Sequence, residues 1–127
     1  MNVVDSSGWI EFALDGPNAE VFQPPLLDTR HLVVPSISIF EVYRFVLRQR
    51  GRDEALTLAA SMRQGRVVDL DAGLAVEAAE LAVSLRLPMA DAIIYAVARA
   101  HEATLWTQDT DFCDLDGVHF VAARGTR

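Results

Sequence analysis

The sequence predicts an α/β domain built on a parallel sheet of four to five strands with helices on both faces. Three observations predict it. Short β-branched runs alternate with longer stretches of helical spacing along the whole chain. The first run, Asn2-Val3-Val4, stops at a carboxylate, Asp5, and small polar residues then open a helix. The chain has 127 residues, 51% of them hydrophobic, with a mean hydropathy of +0.19, which suits one domain spanning 1–127. A chain of that size buries roughly two-thirds of its unfolded surface.

Taken in order, the first strand is followed by a helix carrying Trp9, Ile10 and Phe12, and Asp15-Gly16-Pro17-Asn18 reads as a turn. Ala19 to Leu27 reads as a short helical piece curtailed by Pro24-Pro25. His31-Leu32-Val33-Val34 is a second strand, stopped by Pro35, with Ser36 and Ser38 as candidate N-caps. The helix that follows runs to about Gln49, with Phe40, Tyr43, Val46 and Leu47 on its inner face and Gly51 at its end. Asp53 is placed to cap a helix from Glu54 to Arg63 whose inner face is Ala55, Leu58, Ala59 and Met62, closed by Gly65.

Val67-Val68-Asp69-Leu70 is a third strand, and Asp71 caps a helix in which Leu74, Ala78, Leu81 and Leu85 recur at helical spacing. Pro88 suits the first turn of a further helix that runs to about Ala103. Thr104-Leu105-Trp106-Thr107 is a fourth strand, Gln108 to Asp116 an acid-rich loop, and Val118-His119-Phe120-Val121 a last strand before a loose tail to Arg127. No repeat or linker divides the chain.

The net charge of −7 excludes nucleic-acid binding through a broadly basic surface. All 11 cations are Arg, and six of them fall between Arg44 and Arg66. That concentration reads as a solvated helical face or as a local patch for phosphates or an acidic partner. Cys113 is the only cysteine, so an intramolecular disulfide is impossible and a reducing cytoplasm is expected. No secretory signal and no stretch near the ~20 apolar residues of a membrane span is visible.

Four acids point to one edge of the sheet. Asp5 ends the first strand, Glu41 lies in the helix after the second, Asp91 opens the helix before the fourth, and Asp109 follows the fourth, with Asp111 close behind. Each has a structural alternative. Asp5 can cap the first helix, although Ser6 or Ser7 could do so and free its carboxylate. Ser38-Ile39-Phe40-Glu41 matches a capping box, whereas a cap at Ser36 would leave Glu41 free to face the cleft. Asp91 gains from a helix N-terminus with no function at all, and the loop acids suit turns. Together, however, crowded carboxylates raise one another's pKa. A hard divalent cation, Mg²⁺ or Mn²⁺, relieves that repulsion with all-oxygen ligands. No His/Cys spacing suits zinc, and neither a dinucleotide fingerprint nor a P-loop is present.

The pattern resembles the PIN-domain family, and within it the VapC-like toxin ribonucleases of prokaryotic toxin–antitoxin pairs. The resemblance rests on Val3-Val4-Asp5-Ser6-Ser7, Ser36-Ile37-Ser38-Ile39-Phe40-Glu41-Val42, Leu87-Pro88-Met89-Ala90-Asp91-Ala92 and Leu105-Trp106-Thr107-Gln108-Asp109-Thr110-Asp111-Phe112, in order along nearly the whole chain. It implies a three-layer α/β/α sandwich and an endoribonuclease that cleaves RNA phosphodiesters with metal-activated water, using Mg²⁺ with Mn²⁺ as a substitute. Carried over, Asp5, Glu41, Asp91 and Asp109 form the metal-binding catalytic set. Ser6, Thr107 and Asp111 support it. The resemblance further implies a homodimer and a cognate antitoxin whose peptide lies along the active-site groove. Arg44 and Arg48, on the same side of their helix as Glu41, would contact the RNA backbone or an antitoxin carboxylate. Gln108 and Thr110 depart from the Asn or Gly and the basic residue more usual there, an alteration expected to change the loop's contact with substrate. The rival reading is a PIN-like module that binds RNA or protein without cutting.

Overall fold

The computed structural model describes residues 1–124, and the last residues of the expected loose tail lie outside the described ones. The strands are β1 (Asn2–Val4), β2 (Val33–Pro35), β3 (Arg66–Val68), β4 (Thr104–Thr107) and β5 (Val118–Phe120). The helices are α1 (Ser6–Ala13), α2 (Ala19–Leu27), α3 (Ser36–Arg50), α4 (Arg52–Met62), α5 (Ala72–Leu85) and α6 (Met89–Ala100), with 3₁₀ turns at Thr29–His31 and Thr110–Phe112.

Every strand pairing is parallel. β1 pairs with β4 and β4 with β5, while β2 pairs with β3. A single bridge between Asn2 and Leu32 joins the two sets, so the strand order is β3-β2-β1-β4-β5. Parallel crossovers are right-handed. A chain that steps from β1 to β2 to β3 in one direction and then returns to β4 must therefore carry its later helices on the opposite face.

The side chains divide accordingly, because successive strand residues point to opposite faces. Val3, Val33 and Leu105 join one core with Ala78, Ile93, Ile94, Val97 and Phe112, beneath α5 and α6. Val4, Leu32, Val34 and Trp106 belong to the other, with Trp9, Phe22, Val42, Val46, Ala55 and Met62 from α1 to α4. The result is a three-layer α/β/α sandwich. Gly8 marks how tightly the second core is packed: a Cβ there would meet Val4 Cγ1 at 2.5 Å and the Phe22 ring at 2.9 Å.

Several local expectations change. The short helical piece from Ala19 to Leu27 is present as α2 with those bounds, and Pro24 and Pro25 lie inside its last turns while Phe22, Pro25 and Leu26 bury one face. The cap of α3 is Pro35, not Ser36 or Ser38, since β2 runs directly into the helix with Pro35 in extended geometry. The buried stripe of α3 is Ser38, Val42 and Val46, whereas Phe40 is 61% exposed and Leu47 40% exposed. Apolar residues surround this helix, so periodicity alone could not select its inward face. Gly51 ends α3 as expected and is also the cap residue of α4, whereas Asp53 sits in the first turn of α4 without capping it. β3 begins at Arg66 and ends at Val68, before Asp69 and Leu70, and Pro88 is the cap residue of α6, which ends at Ala100. The expected Asp71 cap of α5 is present, accepting from the Leu74 amide at 2.8 Å. No single helix among the described residues is long and apolar enough to cross a membrane.

Candidate active site

β1 and β4 are neighbours whose onward connections leave toward opposite sides of the sheet. The crevice at their carboxyl ends is where open parallel sheets bind ligands. Asp5 leaves β1 at that point with its amide donating to the Trp106 carbonyl at 3.0 Å, and its side chain is buried at 3% exposure. The carboxylate caps α1, accepting the Gly8 amide at 2.9 Å and the Ser7 hydroxyl at 2.8 and 2.9 Å. Thr107, at the end of β4, donates its hydroxyl to Asp5 Oδ2 at 2.6 Å. Ser6 and Ser7 therefore do not free Asp5 by capping the helix in its place. Asp5 is the cap, and Ser7 supports it. Burial still outweighs these three donors and pushes the Asp5 pKa up to about 6, with the charge of Asp109 adding to the rise.

The Thr107 hydroxyl also accepts the Asp109 amide at 2.9 Å, which couples the end of β4 to the following turn. Asp109 in turn caps the 3₁₀ turn, its Oδ1 accepting the Asp111 amide at 2.9 Å. Asp91 reaches the same place from the first turn of α6. One carboxylate oxygen from each of Asp91, Asp109 and Asp111 lies within 4.8 Å of the others. Burial, the charge of Asp109, and the adjacent Asp111 and Asp5 carboxyls push the Asp91 pKa up to about 7. The helix N-terminus that would stabilise its charge is overcome by these neighbours.

Glu41 lies well inside α3, so the capping box at Ser38 does not form. Its Oε1 accepts the Ser6 hydroxyl at 2.7 Å, tying α3 to the residue after Asp5. Glu41 and Ser6 also line a cleft of about 500 Å³ with Ile10, Phe40, Phe45, Arg44 and Arg48. The Arg44 guanidinium sits 5.8 Å from the Phe40 ring centroid. Arg44 and Arg48 thus share one groove with Glu41, as their spacing predicts.

The three acids that converge on one point are Asp91, Asp109 and Asp111, a set in which the sequence reading gave Asp111 only a supporting part. Asp5 couples to Asp91 and Asp109 through charge, and Glu41 is held beside Ser6. Sequence reasoning missed Ser7, whose role depends on Asp5 being the cap. It also missed the buried Asn18, which donates to Gln108 Oε1 at 3.0 Å, so that Gln108 turns toward Asn18 rather than serving only as a substrate contact. The donor set suits a hard divalent cation such as Mg²⁺ or Mn²⁺, being all oxygen and, among the described residues, without a basic partner. Among the described residues the ion pairs are His31–Asp28 and Arg50–Glu54, both away from this cluster.

A family model described as PIN domain matches residues 3–118. Among solved structures, a toxin–antitoxin complex from Klebsiella pneumoniae superposes with a TM-score of 0.78 at 20% identity, covering 94% of this chain and 96% of that one. The crystal structure of VapC20 from Mycobacterium tuberculosis, a sarcin-ricin-loop-cleaving toxin, gives 0.77 at 22% identity, covering 98% and 100%. VapBC2 from Rickettsia felis, bound to a fragment of its promoter DNA, gives 0.71 at 16% identity, covering 94% and 96%. No curated protein matches the chain closely in sequence.

The raised values have a defined consequence for stability. The folded chain holds protons on Asp5 and Asp91 more tightly than the unfolded chain does. Their contribution is therefore fully present below the unfolded value of 3.8 and is lost as pH rises through about 6 and about 7. Thermal melts in chelator should show the parent losing more stability between pH 5 and pH 8 than Asp91→Asn does. Parallel pH profiles would contradict the assignment.

Proposed function

The chain belongs to the PIN-domain family, and on that premise we propose that it is a divalent-metal-dependent endoribonuclease, the toxin of a toxin–antitoxin pair. The observation that carries this reading is the convergence of Asp91, Asp109 and Asp111 beside buried Asp5, with no basic side chain among the described residues paired to them. A structural cluster would gain stability by adding an arginine or losing an acid, whereas a metal site needs this excess of negative charge.

Asp91, Asp109 and Asp111 would hold the cation, with Asp5 supplying a further oxygen and Glu41 a ligand at the groove side. Thr107 and Ser7 orient Asp5, and Thr107 also fixes the Asp109 backbone. A bound Mg²⁺ or Mn²⁺ polarises a phosphoryl oxygen and lowers the pKa of water. Arg44 and Arg48 line the approach to Glu41 and would take RNA phosphates there. The cognate antitoxin would occupy the same groove, where exposed Phe40 and Phe45 offer apolar anchors. Similar structures include a toxin–antitoxin complex and a sarcin-ricin-loop-cleaving toxin, which supports both the partner and the RNA substrate.

A homodimer would form through the apolar face of α5 and α6. There a cleft lined by Ala75, Ala79, Val83, Met89 and Ile93 leaves Val83 83% exposed and Met89 73% exposed. The single exposed thiol of Cys113 suits a reducing cytoplasm.

With Mn²⁺ present, the purified chain is expected to cleave RNA, and Asp5→Asn is expected to lose roughly a hundredfold or more of that rate. In the same assay, replacing Arg44 and Arg48 with Ala should raise KM more than it lowers kcat. Full activity in Asp5→Asn contradicts the site, and RNA binding by the parent without cleavage leaves the non-cutting module standing. Sedimentation of a Val83→Glu, Met89→Glu double variant should show a monomer where the parent is a dimer. A monomeric parent removes the dimer.

A further inference from the structure

Asn18 is fully buried at the entry to α2, far in sequence from the acids, and the chemistry above makes no use of it. Its backbone amide donates to Glu11 Oε2 at 2.8 Å, which fixes the turn between α1 and α2. Its Nδ2 donates twice, to Gln108 Oε1 at 3.0 Å and to the Ala122 carbonyl at 3.0 Å. Because a backbone carbonyl can only accept, the amide nitrogen must face Ala122, and Gln108 must then present its oxygen. Among the described residues Asn18 Oδ1 is buried and has no partner. Such an orphan acceptor costs stability, so the two donated bonds dictate how this side chain sits.

Those bonds reach both sides of the metal-facing turn. Gln108 stands between Thr107, whose hydroxyl holds Asp5 and the Asp109 amide, and Asp109 itself. Ala122 follows Val121, whose amide donates to the Thr107 carbonyl at 2.8 Å. The Gln108 side chain is anchored to Asn18, and the turn it begins brings Asp109 and Asp111 to Asp91.

We propose that the Asn18–Gln108 carboxamide bridge is a positioning element for the acidic cluster, holding the turn after β4 so that Asp109 and Asp111 meet Asp91 and setting the affinity of that site for its divalent cation. Its consequence for affinity rests on reading the cluster as a metal site. Its consequence for the turn does not. The Gln108 departure from the family pattern is then matched by Asn18 in this chain, and the pair acts on the cluster through geometry.

The test uses Gln108→Met, which keeps length and neutrality and removes the acceptor at a half-buried position, so that the fold is expected to be retained. Two readouts are taken: Mn²⁺ affinity by electron paramagnetic resonance, and amide hydrogen exchange at Asp109 in metal-free protein. Losing one neutral hydrogen bond should raise the Mn²⁺ dissociation constant and the Asp109 exchange rate each by roughly five- to tenfold. The thermal midpoint should fall modestly, because Asn18 Nδ2 loses one acceptor and keeps the Ala122 carbonyl, and cleavage should recover at saturating Mn²⁺. Gln108→Glu, whose carboxylate still accepts from Asn18, should keep the slow exchange. If the parent binds Mn²⁺ and Gln108→Met binds it equally well, the proposal is overturned. If the parent binds no Mn²⁺, the metal reading falls, and exchange alone decides: faster in Gln108→Met, the positioning role stands, and unchanged, it falls too.

Discussion

Negative charge gathered at the carboxyl ends of β1 and β4, with no cationic side chain among the described residues paired to it, is the constraint on which the rest of this structure depends. Asp5 is buried against the sheet, and Asp91 carries the repulsion of Asp109, Asp111 and Asp5. Isolated charge in such a place is unfavourable, and proteins ordinarily relieve it by pairing or protonation. Here the surrounding residues orient the acids without neutralising them. Thr107, Ser7 and the Gly8 amide direct the Asp5 oxygens, Thr107 holds the Asp109 backbone, and Asp109 orders Asp111.

Holding that arrangement requires a rigid frame, and the two cores provide it. Val3 and Val4 point to opposite faces of the sheet and are both fully buried, so β1 is clamped between the layers immediately before Asp5. α6 is buried continuously from Ala92 to Ala98, immediately after Asp91, which leaves Asp91 little freedom to withdraw from its neighbours. The close approach of Gly8 to Val4 and Phe22 anchors the start of α1 in the same way. Stability is thus concentrated in the layers and given up at the crevice, the distribution expected where a site must be held ready for a ligand that offsets its strain.

Much of this was legible in the residues. The β-branched runs placed the strands within a residue or two, the alternation with helices gave the parallel sheet, and Asp71 announced the start of α5 as it occurs. The acids could be assigned to one sheet edge because each follows or precedes a strand that ends there. What was not legible depended on contacts. The inward face of α3 could not be chosen from a helix with apolar residues on all sides, and the capping box at Ser38 was decided by Pro35 passing straight from strand to helix. Asp111 enters the cluster only because Asp109 caps a 3₁₀ turn, a feature too short for periodicity to report. The Asn18–Gln108 bond joins residues 90 positions apart and leaves no local signature.

Diffraction from crystals soaked in Mn²⁺ and measured for anomalous scattering locates the cation without reference to activity. A metal site at the crevice predicts an anomalous peak coordinated by carboxylate oxygens of Asp91, Asp109 and Asp111, beside Asp5 and Thr107. A fully soaked crystal with no peak at that crevice, or with Mn²⁺ bound only at acids elsewhere on the surface, would contradict it.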